Sequence, residues 1–240
     1  MNKGKILITG ASRRLGLFLC RNFLGSGYQV LALTRSSSSE LRDLARDESL
    51  RIIEVQNYQT GSVQSAIENI KSTEDKLFAI VHNSSVFEKD SLEGVYSAEN
   101  YHSLFEIHMS LPAQLNFGLA DLLYDDDNPG NIIHVTDIYA DNPNSDYILY
   151  CSTKAALENL SKGFAKKFAP GIRVNAIQPG PIKFLPSHSE EQKQKVLDET
   201  LLQYEGGFMP IYQAISGVLQ NPYMTGSSIK VDGGRALGRG

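Results

Sequence analysis

A chain of 240 residues with 41% hydrophobic and 21% charged side chains is long enough to bury a large core without metal or disulfide support. Its net charge of −4 excludes bulk polyanion binding, which needs a basic face, so nucleic acid is not an expected partner. The two cysteines, Cys20 and Cys151, have neither zinc spacing nor the density of a disulfide scaffold. A reducing cytoplasm is the expected location. The apolar run near the start is too short for a signal-peptide core, and none approaches the ~20 residues of a spanning helix, so a soluble protein is expected.

In chain order, an apolar run at 5–9 is followed by helical periodicity at 15–26. The alternation continues with 29–34 and 38–47, 51–56 and 61–72, and 77–82 and 99–124. It closes with 131–136 and 150–168, 173–178 and 209–220, and a last strand at 228–231. Continuous apolar runs suit strands covered on both faces. Strand and helix in strict alternation predict an α/β fold, one doubly wound, seven-stranded parallel sheet with helices on both faces, over residues 1–240 as a single domain. The segment 181–208 carries two further prolines, Gly206-Gly207 and many charges. It reads as a mobile insertion over one edge, and loops of that length are often active-site lids.

The first strand ends in Thr9-Gly10-Ala11-Ser12-Arg13-Arg14-Leu15-Gly16. Small residues let the backbone approach a pyrophosphate, and the following helix offers free N–H groups and a positive dipole end. A plain turn is the alternative, and position after the first strand favours the nucleotide. After the second strand stands Thr34-Arg35-Ser36, where NADH sites usually place an acid. With Arg13 in the glycine turn, Arg35 suits the 2′-phosphate of NADPH; for Arg35 alone, a solvated surface charge is the alternative. The four serines at 36–39 fit a helix N-cap region as well as a ligand loop. The acidic run 125–127 reads as a solvated turn, and no metal site is expected.

Tyr150-Cys151-Ser152-Thr153-Lys154 opens the fifth long helix pattern. A tyrosine and a lysine four residues apart share one helical face. The ammonium is expected to favour the phenolate and lower the tyrosine pKa toward working pH.

Together these motifs resemble the short-chain dehydrogenase/reductase family, with its Rossmann-type fold. The carriers are the Thr9–Gly16 turn, His82-Asn83-Ser84-Ser85, Tyr150-x-x-x-Lys154, Arg173–Gly180 and Thr225-Gly226 through Gly233-Gly234. The resemblance implies Tyr150 as general acid and Lys154 as ribose ligand and tuner of Tyr150. It places Asn83, Ser84 and Ser85 along the cofactor and Asn57, with Tyr58, near the adenine. It puts the backbone after Pro179-Gly180, with Ile182, at the nicotinamide amide. It also implies a homotetramer assembled through the helices at 99–124 and 150–168.

Three positions depart from the common family pattern. Asp137 stands thirteen residues before Tyr150, in the usual serine place; Arg14 replaces the middle glycine of the turn; His108 replaces an asparagine before Pro112. The first two are shared with the pteridine reductases, as is the stretch Asn83–Phe87, with Phe87 where a pterin ring stacks. The set with His108 is similar to the bacterial dihydromonapterin reductases. Reducing a C=N bond needs a proton on nitrogen, and a desolvated carboxylic acid beside Tyr150 can relay one. The resemblance therefore implies an NADPH-dependent reduction of a 7,8-dihydropterin (dihydromonapterin or dihydrofolate-like) with Asp137, Tyr150 and Lys154 catalytic and Arg14, Phe87, Asp137 and Tyr150 on the substrate. Alternatives stay open for each: Asp137 as a turn cap, Phe87 as core, Arg14 on phosphates alone, and His108 filling a helix bulge or relaying protons. The rival functions are a carbonyl or 3-oxoacyl reductase and a non-catalytic NADPH-binding sensor.

Overall fold

The computed structural model describes residues 3–90 and 97–238. The first half runs β1 (Lys5–Thr9), α1 (Arg14–Gly25), β2 (Gln29–Thr34), α2 (Ser39–Leu44), β3 (Leu50–Glu54), α3 (Thr60–Thr73) and β4 (Ala79–His82). The second half runs α4 (Ala98–Phe105), α5 (Leu111–Gly118), α6 (Ala120–Leu123), β5 (Gly130–Val135), α7 (Ile148–Phe168), β6 (Ile172–Pro179), α8 (Glu190–Asp198), α9 (Met209–Gln220) and β7 (Ser228–Val231). The seven strands pair in the order β3-β2-β1-β4-β5-β6-β7, each ladder parallel.

The continuous apolar strands are buried throughout: β5 and β6 have every residue inside, whereas the edge strand β7 alternates exposed and half-buried positions. One core joins the sheet to α3, α5 and α7 through residues such as Ile67, Leu111, Leu115 and Phe164. A second joins the other face to α1 and α9 through Leu19, Phe23, Ile211 and Ile215. Strand order reverses between β1 and β4, and in open parallel sheets the crevice at that point receives ligands.

Two expectations needed correction. The pattern over 99–124 is not one helix. A π-helical turn at Glu106–Ser110 separates α4 from α5, and the last turn is offset as α6. The cause is Pro112, which has no N–H to return to the His108 carbonyl. The segment 181–208 is not plain loop but carries α8, opened by a capping box between Ser189 and Gln192. No described helix is long and apolar enough to cross a membrane.

The core holds three histidines, His82, His108 and His134. His82 and His134 pair across β4 and β5, their rings stacked at 5.0 Å, and Asn116 of α5 bridges them, 2.7 Å from His82 and 3.1 Å from His134. Burial draws His82 down to about 4 and the other two well below 6.5. The unfolded chain therefore takes up protons below about pH 6.5 that the fold refuses, so stability falls with pH from there toward about 4. Denaturant titrations should show a loss of about 2 kcal/mol from His82 between pH 7 and pH 5, with His108 and His134 shifting stability in the same direction; equal stability at the two values would contradict this burial.

Candidate active site

The turn between β1 and α1 is built for close approach. A Cβ on Gly16 would lie 2.1 Å from the Gly10 carbonyl, and one on Gly10 would sit 2.9 Å from the Ser84 Cα. Asn83 clips this turn to β4: its Nδ2 donates to the Thr9 and Gly10 carbonyls, each at 3.2 Å, and its N–H donates to Thr9 Oγ1 at 3.0 Å. Ser12 ties the turn to the loop after β2, accepting from Ser38 N–H at 2.9 Å and from Ser38 Oγ, through its carbonyl, at 2.7 Å. The serine run is thus both cap and loop, since Ser38 also caps α2. Leu15 is core, so only its backbone faces the crevice.

Arg13 and Arg35 are exposed, on the two loops that Ser12 joins. Neither has an ion pair among the described residues, and Arg35 lies 5.2 Å over the Tyr58 ring. Unpaired guanidinium groups there, beside Thr34 and Ser36, fit a phosphate. Sequence reading missed Arg42, whose Nη1 donates to the Ser37 carbonyl at 2.5 Å and to its hydroxyl at 3.1 Å. Asn57 spends its carbonyl oxygen on the Gln59 N–H, at 3.0 Å. Tyr58 is buried and within 3.2 Å of Ser84 Oγ. Across the crevice, Gly180 donates to the Val231 carbonyl and packs on Asp232, placing Pro179, Gly180 and Ile182 at the end of β6.

Asp137, Tyr150 and Lys154 meet where β5 ends and α7 begins. Tyr150 Oη donates to Asp137 Oδ2 at 2.8 Å. Asp137 Oδ1 accepts the Tyr139 N–H at 2.9 Å, capping a short 3-10 turn at Ile138–Ala140. One carboxylate oxygen makes the turn cap and the other takes the Tyr150 hydroxyl, so the cap leaves Asp137 free to meet the phenol. Lys154 is buried and donates to the Val135 carbonyl at 3.2 Å.

Burial pushes Asp137 above its ordinary value of 3.8, against opposition from the Tyr139 N–H and from Lys154. Burial lowers Lys154 to about 8. Tyr150 reverses the sequence expectation: burial and the adjacent Asp137 carboxylate hold its phenol well above 10. With a carboxylate nearer than the ammonium, the phenol keeps its proton.

His108 lies in the π turn with both ring nitrogens bound, Nδ1 2.8 Å from Thr153 Oγ1 and Nε2 2.8 Å from Ser85 Oγ. Thr153 already donates its hydroxyl to the Tyr150 carbonyl, 2.8 Å away. Nδ1 must therefore carry the hydrogen and Nε2 must accept from Ser85. That fixes one neutral tautomer and ends the path in a backbone carbonyl, so a relay through His108 is not supported; its titration near neutrality is corrected too, because burial holds it low.

Phe87 is 51% exposed, which corrects the core alternative. It stacks on Tyr147 at 4.2 Å and meets the Tyr150 ring edge-on at 4.8 Å. Arg14 adopts φ +49, a left-handed conformation costing roughly 1 kcal/mol outside glycine. Its guanidinium donates to the Lys183 carbonyl at 2.5 Å and so pins the segment 181–208 to the glycine turn. A cavity of about 790 Å³ lies between Tyr139, Asn144, α8 and Arg235, and its acidic lining residues Glu191, Asp198 and Glu199 outnumber Lys195 and Arg235. Among the described residues, no group of His, Cys, Asp and Glu is placed to hold a metal.

Comparison with known proteins agrees with this geometry. A family model described as "Enoyl-(Acyl carrier protein) reductase" matches residues 10–236. A dihydromonapterin reductase of Enterobacter sp. (strain 638) is 34% identical over 233 residues, 97% of this chain and 96% of that one. One from Escherichia coli (strain K12) is 32% identical over the same shares. Among solved structures, the FolM alternative dihydrofolate reductase 1 of Brucella suis, in complex with NADP, superposes with a TM-score of 0.89 at 23% identity, covering 99% of this chain and 97% of that one. A 4-hydroxyisoleucine dehydrogenase complexed with NADH gives 0.90 at 20% identity, covering 99% and 100%. Glycine turn, Tyr150–Lys154 face, strand order and relatives coincide, and the chain belongs to the short-chain dehydrogenase/reductase family.

Proposed function

We propose that this chain reduces a 7,8-dihydropterin to the tetrahydro form with NADPH. The observation that carries the reading is the half-buried hydrogen bond from Tyr150 to Asp137, an acid where a carbonyl reductase of this family has a serine. NADPH would supply the hydride, which adds to C6 of the pterin while N5 takes a proton. The glycine turn would hold its pyrophosphate, and Arg13, Arg35 and Arg42 would hold its 2′-phosphate. The related dihydromonapterin reductases support the substrate class.

The proton comes from the protein. With Asp137 ionised, the phenol O–H points at the carboxylate. Once Asp137 is protonated, a state that its burial favours, the carboxylic acid donates to Tyr150 Oη and frees the phenol hydrogen for the substrate. N5 then takes the Tyr150 proton as Tyr150 takes that of Asp137. Phe87 offers the flat heterocycle a stacking surface beside the phenol. The cavity beside Tyr139 would receive the side chain, and its acidic excess would favour an uncharged hydroxylated tail over a glutamate. Cytoplasmic location and a homotetramer remain part of the proposal.

Purified protein should oxidise NADPH with dihydromonapterin in preference to dihydrofolate; turnover with simple ketones and no dihydropterin would overturn the proposal. Asp137→Ser should lower kcat on dihydropterin by about 100-fold or more with NADPH affinity retained, whereas a carbonyl reductase would keep or gain activity. Arg35→Ser should weaken NADPH binding by about 10- to 100-fold and leave NADH binding nearly unchanged, and equal losses for both would remove the 2′-phosphate assignment.

A further inference from the structure

Lys154 is a buried ammonium whose neighbours do not all keep their charge. Tyr150 and Glu158 face it along α7, Asp137 and His134 from the β5 side, and His108 from the π turn. The two histidines are held neutral and the phenol protonated. Besides the Val135 carbonyl that accepts from it, Asp137 and Glu158 are the two described residues whose negative charge opposes the cost of burying that ammonium. Asp137 cannot supply its charge throughout, because on the reading above it carries the proton before each transfer.

Glu158 stands one turn beyond Lys154 and is 5% exposed. Its Oε2 accepts from Ser228 Oγ of β7 at 2.5 Å, and its Oε1 accepts from Thr136 Oγ1 at the end of β5. Lys230 of β7 also feels its charge, but that side chain is half exposed and paired with Asp141 at 2.8 Å. We propose that Glu158 is a positioning residue of the active site, the standing counter-charge that holds the Lys154 ammonium in place whenever Asp137 carries the proton. The carboxylate does not touch the reacting atoms. It acts through Lys154, which is why the Tyr-x-x-x-Lys motif alone does not reveal it.

Glu158→Gln tests this because the hydrogen bonds survive the loss of charge. The amide oxygen accepts from Ser228, and its NH2 donates to Thr136, whose own hydrogen turns to the Ile177 carbonyl, already 3.1 Å away. The measurement is the pH titration of the Lys154 13Cε resonance in cofactor-free protein, assigned with Lys154→Met, together with the alkaline limb of NADPH-dependent turnover. The proposal rests on Asp137 as proton carrier, yet the titration needs no substrate. Absence of dihydropterin turnover in the wild type would therefore sink the functional reading and leave the titration to decide the role of Glu158. Glu158→Gln should move the Lys154 midpoint, and with it the limb, about one pH unit lower at unchanged melting temperature. Glu158→Asp, which keeps the charge, should return both toward wild type. An unmoved midpoint in Glu158→Gln, or one equally low in Glu158→Asp, would overturn the proposal.

Discussion

A half-buried carboxylate and a buried phenol, 2.8 Å apart, set the terms for everything else in this fold. Burial penalises charge on either group, so the pair resists losing its protons and is suited to giving one up to a basic nitrogen that arrives. A serine in the same place could only hydrogen-bond a carbonyl oxygen. On the proposed function, that difference turns a reductase scaffold toward C=N chemistry.

The scaffold fixes the pair from both sides. Asp137 cannot swing, because its other oxygen caps the turn that follows β5. Tyr150 is held through its own backbone: Thr153 takes the Tyr150 carbonyl, His108 takes Thr153, and Ser85 at the end of β4 takes His108. The π turn that presents His108 exists because Pro112 cannot complete the helix. A proline in α5 thereby helps set the orientation of a phenol on α7. The 181–208 segment is fastened over the crevice by Arg14, and by Arg235, which pairs with Glu199 at 2.5 Å.

Much of this was legible in the sequence because it depends on short-range spacing. Alternating strands and helices gave the sheet, apart from ends displaced by a residue or two. The contact between Asp137 and Tyr150 was implied by the family resemblance, in which position 137 is the usual serine place thirteen residues before the tyrosine. What escaped depends on electrostatics or on distant partners. The lysine at helical spacing suggested an acidified phenol, but no spacing rule shows that the carboxylate lies closer. Arg14 was readable as a basic group in a glycine turn, though its hold on Lys183 spans 169 residues. Arg42 carries no motif of its own, and its contact with Ser37 appears only in the folded loop. Glu158 belongs to no motif, because its partners, Thr136 and Ser228, come from two distant strands.

The most direct test of this account is the protonation of Asp137 itself, followed by the pH titration of its carboxyl 13C resonance in wild type and in Tyr150→Phe. A midpoint above the ordinary 3.8, rising further when the phenol that stabilises the carboxylate is removed, is the predicted result. A midpoint at or below 3.8, unmoved in Tyr150→Phe, would show a carboxylate with no proton to give and would contradict the account.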